Sequence, residues 1–207
     1  MRYLLTLLSL ALLILISPPK TFAEDIYTRL QIKAEKIHSI QSRFTQEKHL
    51  AMFDEVLISE GNFAFQRPAS LRWEYIKPFQ AGFILNKDKG IEWDEASGTQ
   101  QEFTLNSSPI MSMVAKQIIA WTTFDIQWLK GRYDILLIRT SPTTLKLNPK
   151  AESAREMLSR IIVQFAPDDT TIDLLELHET DGDFTRIMFT TPSTNTSLPS
   201  TTFTSIK

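Results

Sequence analysis

Gly61-Asn62-Phe63-Ala64-Phe65-Gln66-Arg67-Pro68-Ala69-Ser70-Leu71-Arg72-Trp73-Glu74-Tyr75 is the stretch that decides how this chain folds. Its period is two: Phe63, Phe65 and Arg67 share one face, and after the break Leu71, Trp73 and Tyr75 share another, with Arg72 and Glu74 opposed. Alternation of this kind makes a strand with one apolar side. Pro68 ends the first strand because it cannot donate to a ladder. The stretch therefore reads as two antiparallel strands of a meander.

The pattern extends both ways. Upstream, Ile26, Leu30, Ala34 and Ile37 recur every three or four residues, which predicts an amphipathic helix over about 25–38. Phe44 and Gln46 then alternate with Arg43 and Thr45 as a strand. Downstream, Pro78 punctuates, Ala81 to Leu85 reads as a strand, and Asn86-Lys87-Asp88-Lys89-Gly90 and Ala96-Ser97-Gly98-Thr99 read as turns. Ile91 with Trp93, then Phe103 with Leu105, continue the alternation. Ser108-Pro109 is an N-cap with proline at the first helical position. It opens a strongly apolar helix to about Ala120, either buried core or a cover over a cavity. Five more strands follow, with Asp181-Gly182 as a hairpin turn. About eleven strands and two main helices predict an α+β fold: a strongly curved antiparallel sheet forming an incomplete β-barrel covered by helices.

The first residues have another purpose. Arg2 precedes an apolar run from Leu4 to Ile16, about 13 residues against the roughly 20 that span a bilayer. Thr21-Phe22-Ala23 then offers a small-residue cut site. Residues 1–23 are expected to be a cleaved signal peptide and residues 24–207 a single domain in the periplasm, not itself membrane-spanning. There is no cysteine, so disulfides, thiolate metal sites and a lipidated N-terminal cysteine are excluded. The mature chain carries a net charge of about −4 with no basic cluster, which gives nucleic acid no electrostatic purchase. Twelve of the 13 phenylalanines and all 4 tryptophans fall in the mature part. Aromatics at that density fill a core or line an apolar cavity.

No constellation for catalysis emerges. His38, His49 and His178 lack partners at metal-ligand spacing, and no phosphate loop, nucleophile elbow or zinc motif occurs. Glu47, Asp54, Glu55 and Glu60 cluster as a solvated face would. No catalytic residue, metal or cofactor is expected. Arg67 stands apart, because its alternation places a guanidinium at the rim of an apolar surface, where charge is costly unless hydrogen-bonded. Two readings stay open. It bonds the backbone carbonyls of a covering helix or loop as a lid latch, or it turns to water at the strand end.

Several of these residues carry a resemblance. Phe44-Thr45-Gln46 after a helix and the glycine, Phe63, Phe65, Arg67-Pro68, Leu71 to Tyr75, Pro78-Phe79-Gln80 series resemble the outer-membrane lipoprotein carrier (LolA) family. So do Leu145-Lys146-Leu147-Asn148-Pro149-Lys150, the Asp181-Gly182 hairpin and Phe203. The turn after Leu85 departs from the family's usual tight Asp-Gly. The resemblance implies a LolA/LolB-like fold and a periplasmic chaperone, either the family's carrier or a paralogue. Such a carrier receives acylated cargo from an inner-membrane transporter and hands it to an outer-membrane acceptor. It also implies that Arg67 bonds the lid in the closed form and that Leu71 and Trp73 face the cavity.

The expected cargo-binding residues are Phe63, Phe65, Leu71, Trp73, Tyr75, Phe83, Trp93, Phe103, Met111, Met113 and Val114, with Leu30 and Ile37 as further candidates. Moving an acyl chain out of water is favourable by about 0.8 kcal/mol per methylene. A carrier therefore needs an apolar cavity, and a lid to fill it when empty. The expected partner is a lipoprotein or other acylated cargo, bound by a monomer. Three alternatives remain: a periplasmic sensor that docks a signalling protein, a small envelope lipid- or glycan-modifying enzyme using Glu74 or Asp94, and an aromatic-rich barrel whose interior is simply filled.

Overall fold

The computed structural model describes residues 22–206. The expected export segment lies outside them except for Phe22 and Ala23, which open the first helix. The elements run α1 (Phe22–Glu35), β1 (Ser39–His49), β2 (Val56–Gln66), β3 (Ser70–Lys77), β4 (Ala81–Asn86), β5 (Lys89–Asp94) and β6 (Thr99–Thr104). Next come α2 (Pro109–Thr122), α3 (Ile126–Arg132), β7 (Tyr133–Thr140), β8 (Thr143–Pro149) and α4 (Glu152–Arg155). The chain continues through β9 (Leu158–Phe165), β10 (Ile172–Glu179), β11 (Phe184–Thr194) and a 3-10 turn at Ser200–Phe203.

All 11 strands form one sheet in the order β6-β5-β4-β3-β2-β1-β11-β10-β9-β8-β7. Two meanders meet where β1 pairs antiparallel with β11, from Ile40 opposite Thr194 to His49 opposite Phe184. The sheet is open and curved, not closed into a barrel. The edge strands β6 and β7 are consecutive in sequence, so the chain between them must travel from one edge to the other. It does so as α2 and α3, whose Ala115, Ala120, Ile126 and Leu129 are buried in the same core as the sheet's inner face. A helical cover over the hollow side therefore follows from this topology.

The alternation read from the sequence sets the inner face. Phe65 pairs with Leu71 and Phe63 with Trp73 across β2 and β3, and Leu71 pairs with Leu85 and Trp73 with Phe83 across β3 and β4. Two glycines make room for rings on this face. A Cβ on Gly61 would lie 2.3 Å from the Phe44 ring, and one on Gly90 would lie 2.2 Å from the Phe103 ring.

Three local expectations are corrected. The first helix ends at Glu35 rather than 38, because two i→i−3 bonds, Lys36 N–H to Lys33 and Ile37 N–H to Ala34, tighten its exit into β1. The turn after Leu85 is a tight two-residue hairpin. Asn86 pairs with Lys89, and Lys87 takes a left-handed φ of 62°. Finally, α3 is an element that the sequence reading lacks. It is short, capped by Asp125 accepting from Trp128 N–H at 3.0 Å, and held by buried Ile126 and Leu129.

Candidate cargo-binding site

The inner face carries a contiguous aromatic cluster. Phe44 lies 4.6 Å from Trp73 and 5.4 Å from Tyr75 between ring centroids. Phe63 touches Trp73 and Phe189, each at 5.8 Å. The Tyr75 hydroxyl donates to Gln46 Oε1 at 2.8 Å, and burial pushes its phenol above the ordinary range. Beside this cluster, between the sheet and the two long helices, lies a cavity of about 50 Å³. Phe63, Trp73 and Phe189 wall it from the sheet, Leu30 from α1, and Ile118 and Trp121 from α2. Ligand pockets usually measure roughly 300–1,000 Å³. The inner face is thus nearly filled by the protein's own side chains, and an acyl chain could enter only if a cover moved.

The two covers are held very differently. Arg67 donates from Nε to the Ile37 carbonyl at 2.7 Å and from Nη2 to the Ala34 carbonyl at 2.9 Å. Tyr27 donates to the Ile135 carbonyl at 3.0 Å, Arg29 pairs with the buried Asp169 at 2.9 Å, and Lys33 donates to the Asp168 carbonyl. All four ties fasten α1. By contrast, beyond its own capping residues Ser108 and Thr123, α2 receives one side-chain hydrogen bond among the described residues, Tyr133 Oη to Gln117 Oε1 at 2.8 Å. Two donors on α2, Gln117 Nε2 and Trp121 Nε1, are buried without an acceptor. A buried unpaired donor costs about 1–3 kcal/mol, so the closed position of α2 is penalised where that of α1 is stabilised.

The expected site residues divide accordingly. Phe63 and Trp73 line the cavity, and Tyr75 continues the aromatic cluster. Phe65, Leu71, Phe83 and Phe103 are buried core, as are Leu30 and Ile37, with Leu30 also reaching the cavity. Met111 and Val114 pack on the core from α2, whereas Met113 is 65% exposed on the helix's outer side, with Ile110. Arg67 bonds carbonyls at the exit of α1 rather than of α2, so of the two readings the geometry fits the carbonyl-bonding one.

Trp93 is a correction. It pairs with Gly82, one residue out of phase with Phe83, and so projects from the opposite face of the sheet. There it packs with Ala64 and Ile84 beneath Leu198, Phe203 and Ile206. Arg72 secures that crossing segment by donating to the carbonyls of Thr202, Ser205 and Ile206. The strand reading missed Trp121 and Phe189. Trp121 was legible as Ile118 plus three along the helix stripe, but nothing local marked Phe189 as Phe44's partner.

The titratable groups serve other ends. Glu74 is held by Arg72 Nε at 2.7 Å and by Asn62 at 2.9 Å, and Asp94 accepts from Ser97 N–H at 3.2 Å in a turn. On the outer face His49 and His178 bond Glu47 and Glu176 at 3.1 and 2.9 Å, and Arg186 joins the two carboxylates. Phe184 lies between the two imidazoles, 4.1 and 5.3 Å from them. The carboxylates of Glu179, Asp181 and Asp183 approach one another, and the Lys48 ammonium pairs with Glu179 and Asp183.

A profile of the family described as outer membrane lipoprotein carrier protein LolA matches residues 35–205. The chain belongs to the LolA family. An outer-membrane lipoprotein carrier protein of Legionella pneumophila (strain Corby) is 24% identical over 197 residues, 93% of this chain and 91% of that protein. Among solved structures, an uncharacterized conserved protein from Thermus thermophilus shares the fold with a TM-score of 0.54 at 10% identity, over 88% of this chain and 93% of that one. A LolA superfamily protein from Nitrosomonas europaea aligns with a TM-score of 0.43 at 11% identity, over 86% and 97%. Among the described residues no helix is long and apolar enough to cross a membrane.

Proposed function

We propose that this LolA-family protein is a periplasmic carrier that takes the acyl chains of a lipoprotein, or of another lipid-linked cargo, into the space beneath α2. It would move them from an inner-membrane transporter to an outer-membrane acceptor, working as a monomer and catalysing no reaction. The observation that carries the reading is the mismatch between the two covers: α1 is tied down at four points, while α2 sits over an aromatic wall with two of its own donors unpaired. Swinging α2 outward would let those donors reach water and would expose Phe63, Trp73 and Phe189 together.

Energetics favour a collapsing lid over a standing hollow. A void loses the dispersion contacts of its lining, whereas a side-chain-filled cavity that opens only for cargo keeps the empty protein stable. Each methylene delivered contributes about 0.8 kcal/mol toward the cost of opening. Displacement of a fluorescent fatty acid from the exported protein tests the reading, together with mass spectrometry of co-purifying lipids. Saturable binding that Phe63→Asp abolishes is expected. A chain that binds no fatty acid and purifies free of acylated molecules would overturn it.

A further inference from the structure

A group of exposed apolar residues lies away from the cavity, at the end of the sheet where β1 turns into β2 and β3 into β4. Met52 and Phe53, at the first turn, are 89% and 65% exposed. Leu57 and Ile58 follow on β2, and Ile76 and Phe79 flank the second turn, all exposed. Over Val56–Ser59, β2 pairs with β1 alone, because its ladder with β3 begins at Glu60. The hairpin thus runs past its neighbour and carries its apolar residues on turn apices and a free edge. None of the six lines the cavity under α2. Exposed apolar groups gathered this way mark a surface meant to meet something apolar.

The chemistry of the surroundings selects the occupant. The charge is acidic. Asp54 and Glu55 take no ion pair among the described residues, and the nearby cations are engaged, Lys77 with Glu60 at 3.0 Å and Lys48 with Glu179 and Asp183. Anionic bilayers attract basic segments and repel this one. A zwitterionic bilayer offers ammonium headgroups to the carboxylates and acyl chains to the rings.

We propose that the β1–β2 and β3–β4 turns form a wedge that enters the headgroup layer of a zwitterionic lipid surface, with Met52, Phe53 and Phe79 leading. The proposal rests on the carrier reading for its purpose, a brief membrane contact at which cargo changes hands. The wedge inserts shallowly, since Asp54 and Glu55 at the apex hold it at headgroup depth.

The test is vesicle flotation of the chain recovered after export, its N-terminus fixed by mass spectrometry. Two vesicle compositions are used: phosphatidylcholine with phosphatidylethanolamine, and the same with phosphatidylglycerol added. Binding to the zwitterionic vesicles, weaker binding to the anionic ones, and a loss of about tenfold to a hundredfold for Met52→Ser/Phe53→Ser are expected. Asp54→Asn/Glu55→Gln should narrow the gap between the vesicle types. Absence of binding to zwitterionic vesicles, or wild-type binding by the serine variant, overturns the proposal. So does a concentration-dependent dimer that the serine variant abolishes, which assigns the patch to a second copy. An unchanged melting temperature and unchanged fatty-acid displacement show that the serine variant is folded. If the wild type floats yet displaces no fatty acid, the carrier reading falls and the wedge stands.

Discussion

Arg67 and Ile37 are joined by a 2.7 Å hydrogen bond from the guanidinium Nε to the main-chain carbonyl, just beyond the last turn of α1. With the second bond to Ala34, whose carbonyl also accepts from Ile37 N–H, the side chain ties the exit of α1 to the end of β2. Arg67→Leu removes both bonds and should destabilise the fold by about 1–3 kcal/mol, read as a lower urea midpoint. If α1 also gates the cavity, fatty-acid uptake accelerates. Arg67→Lys should recover only part of the stability, because an ammonium cannot span both carbonyls as a planar fork does.

A second prediction concerns α2. Trp121→Phe deletes an unpaired buried N–H while keeping most of the ring. The closed state should gain from the lost penalty and lose from the smaller side chain, leaving stability within about 1 kcal/mol of the wild type. Trp121→Ala leaves a cavity, and should cost about 3–5 kcal/mol. Calorimetric melting of both variants checks the contrast. A Phe variant as damaged as the Ala variant would show that the indole N–H has a partner in solution.

Gly90 gives a packing test. Its missing side chain is the space that the Phe103 ring occupies. Gly90→Val should overpack this point and cost about 1–3 kcal/mol. The double variant Gly90→Val/Phe103→Ala should cost less than the sum of the two singles, as expected of residues in contact.

These tests also show how legible the molecule was. Period-two runs placed β2 and β3 correctly because one face is buried and the other is not, so register and burial agree. The same logic misplaced Trp93. Both faces of β5 are covered there, and an apolar residue covered from the far side looks the same in sequence as one in the core. Arg67 could be singled out for its rim position, but its partners lie about thirty residues away in sequence, and only the packing of α1 supplies them. The cavity's second wall, Trp121 and Phe189, depends on α2 crossing the sheet and on the β1–β11 junction, neither of which periodicity encodes.

Acid should weaken the protein through the outer-face network. Burial tends to raise the Glu176 carboxyl, but bonds from His178 and Arg186 outweigh it and hold its pKa below the ordinary 4.5. A depressed acid contributes stability that is fully present above its unfolded value and is lost as pH falls through the lower folded value. Melting temperatures should therefore drop on acidification below about pH 4.5. In Glu176→Gln that part of the decline should flatten, while the neutral-pH melting point falls because Arg186 and His178 lose an anion.

The junction of β1 with β11 has a consequence for biogenesis. The middle of the sheet is stitched from the first and last strands of the domain, so its central seam cannot be sewn until almost the whole polypeptide is available. Pairing across so many intervening residues is slow to nucleate. A chain threaded through a secretion pore with its amino end first would therefore stay pliable throughout its passage and consolidate only on the far side.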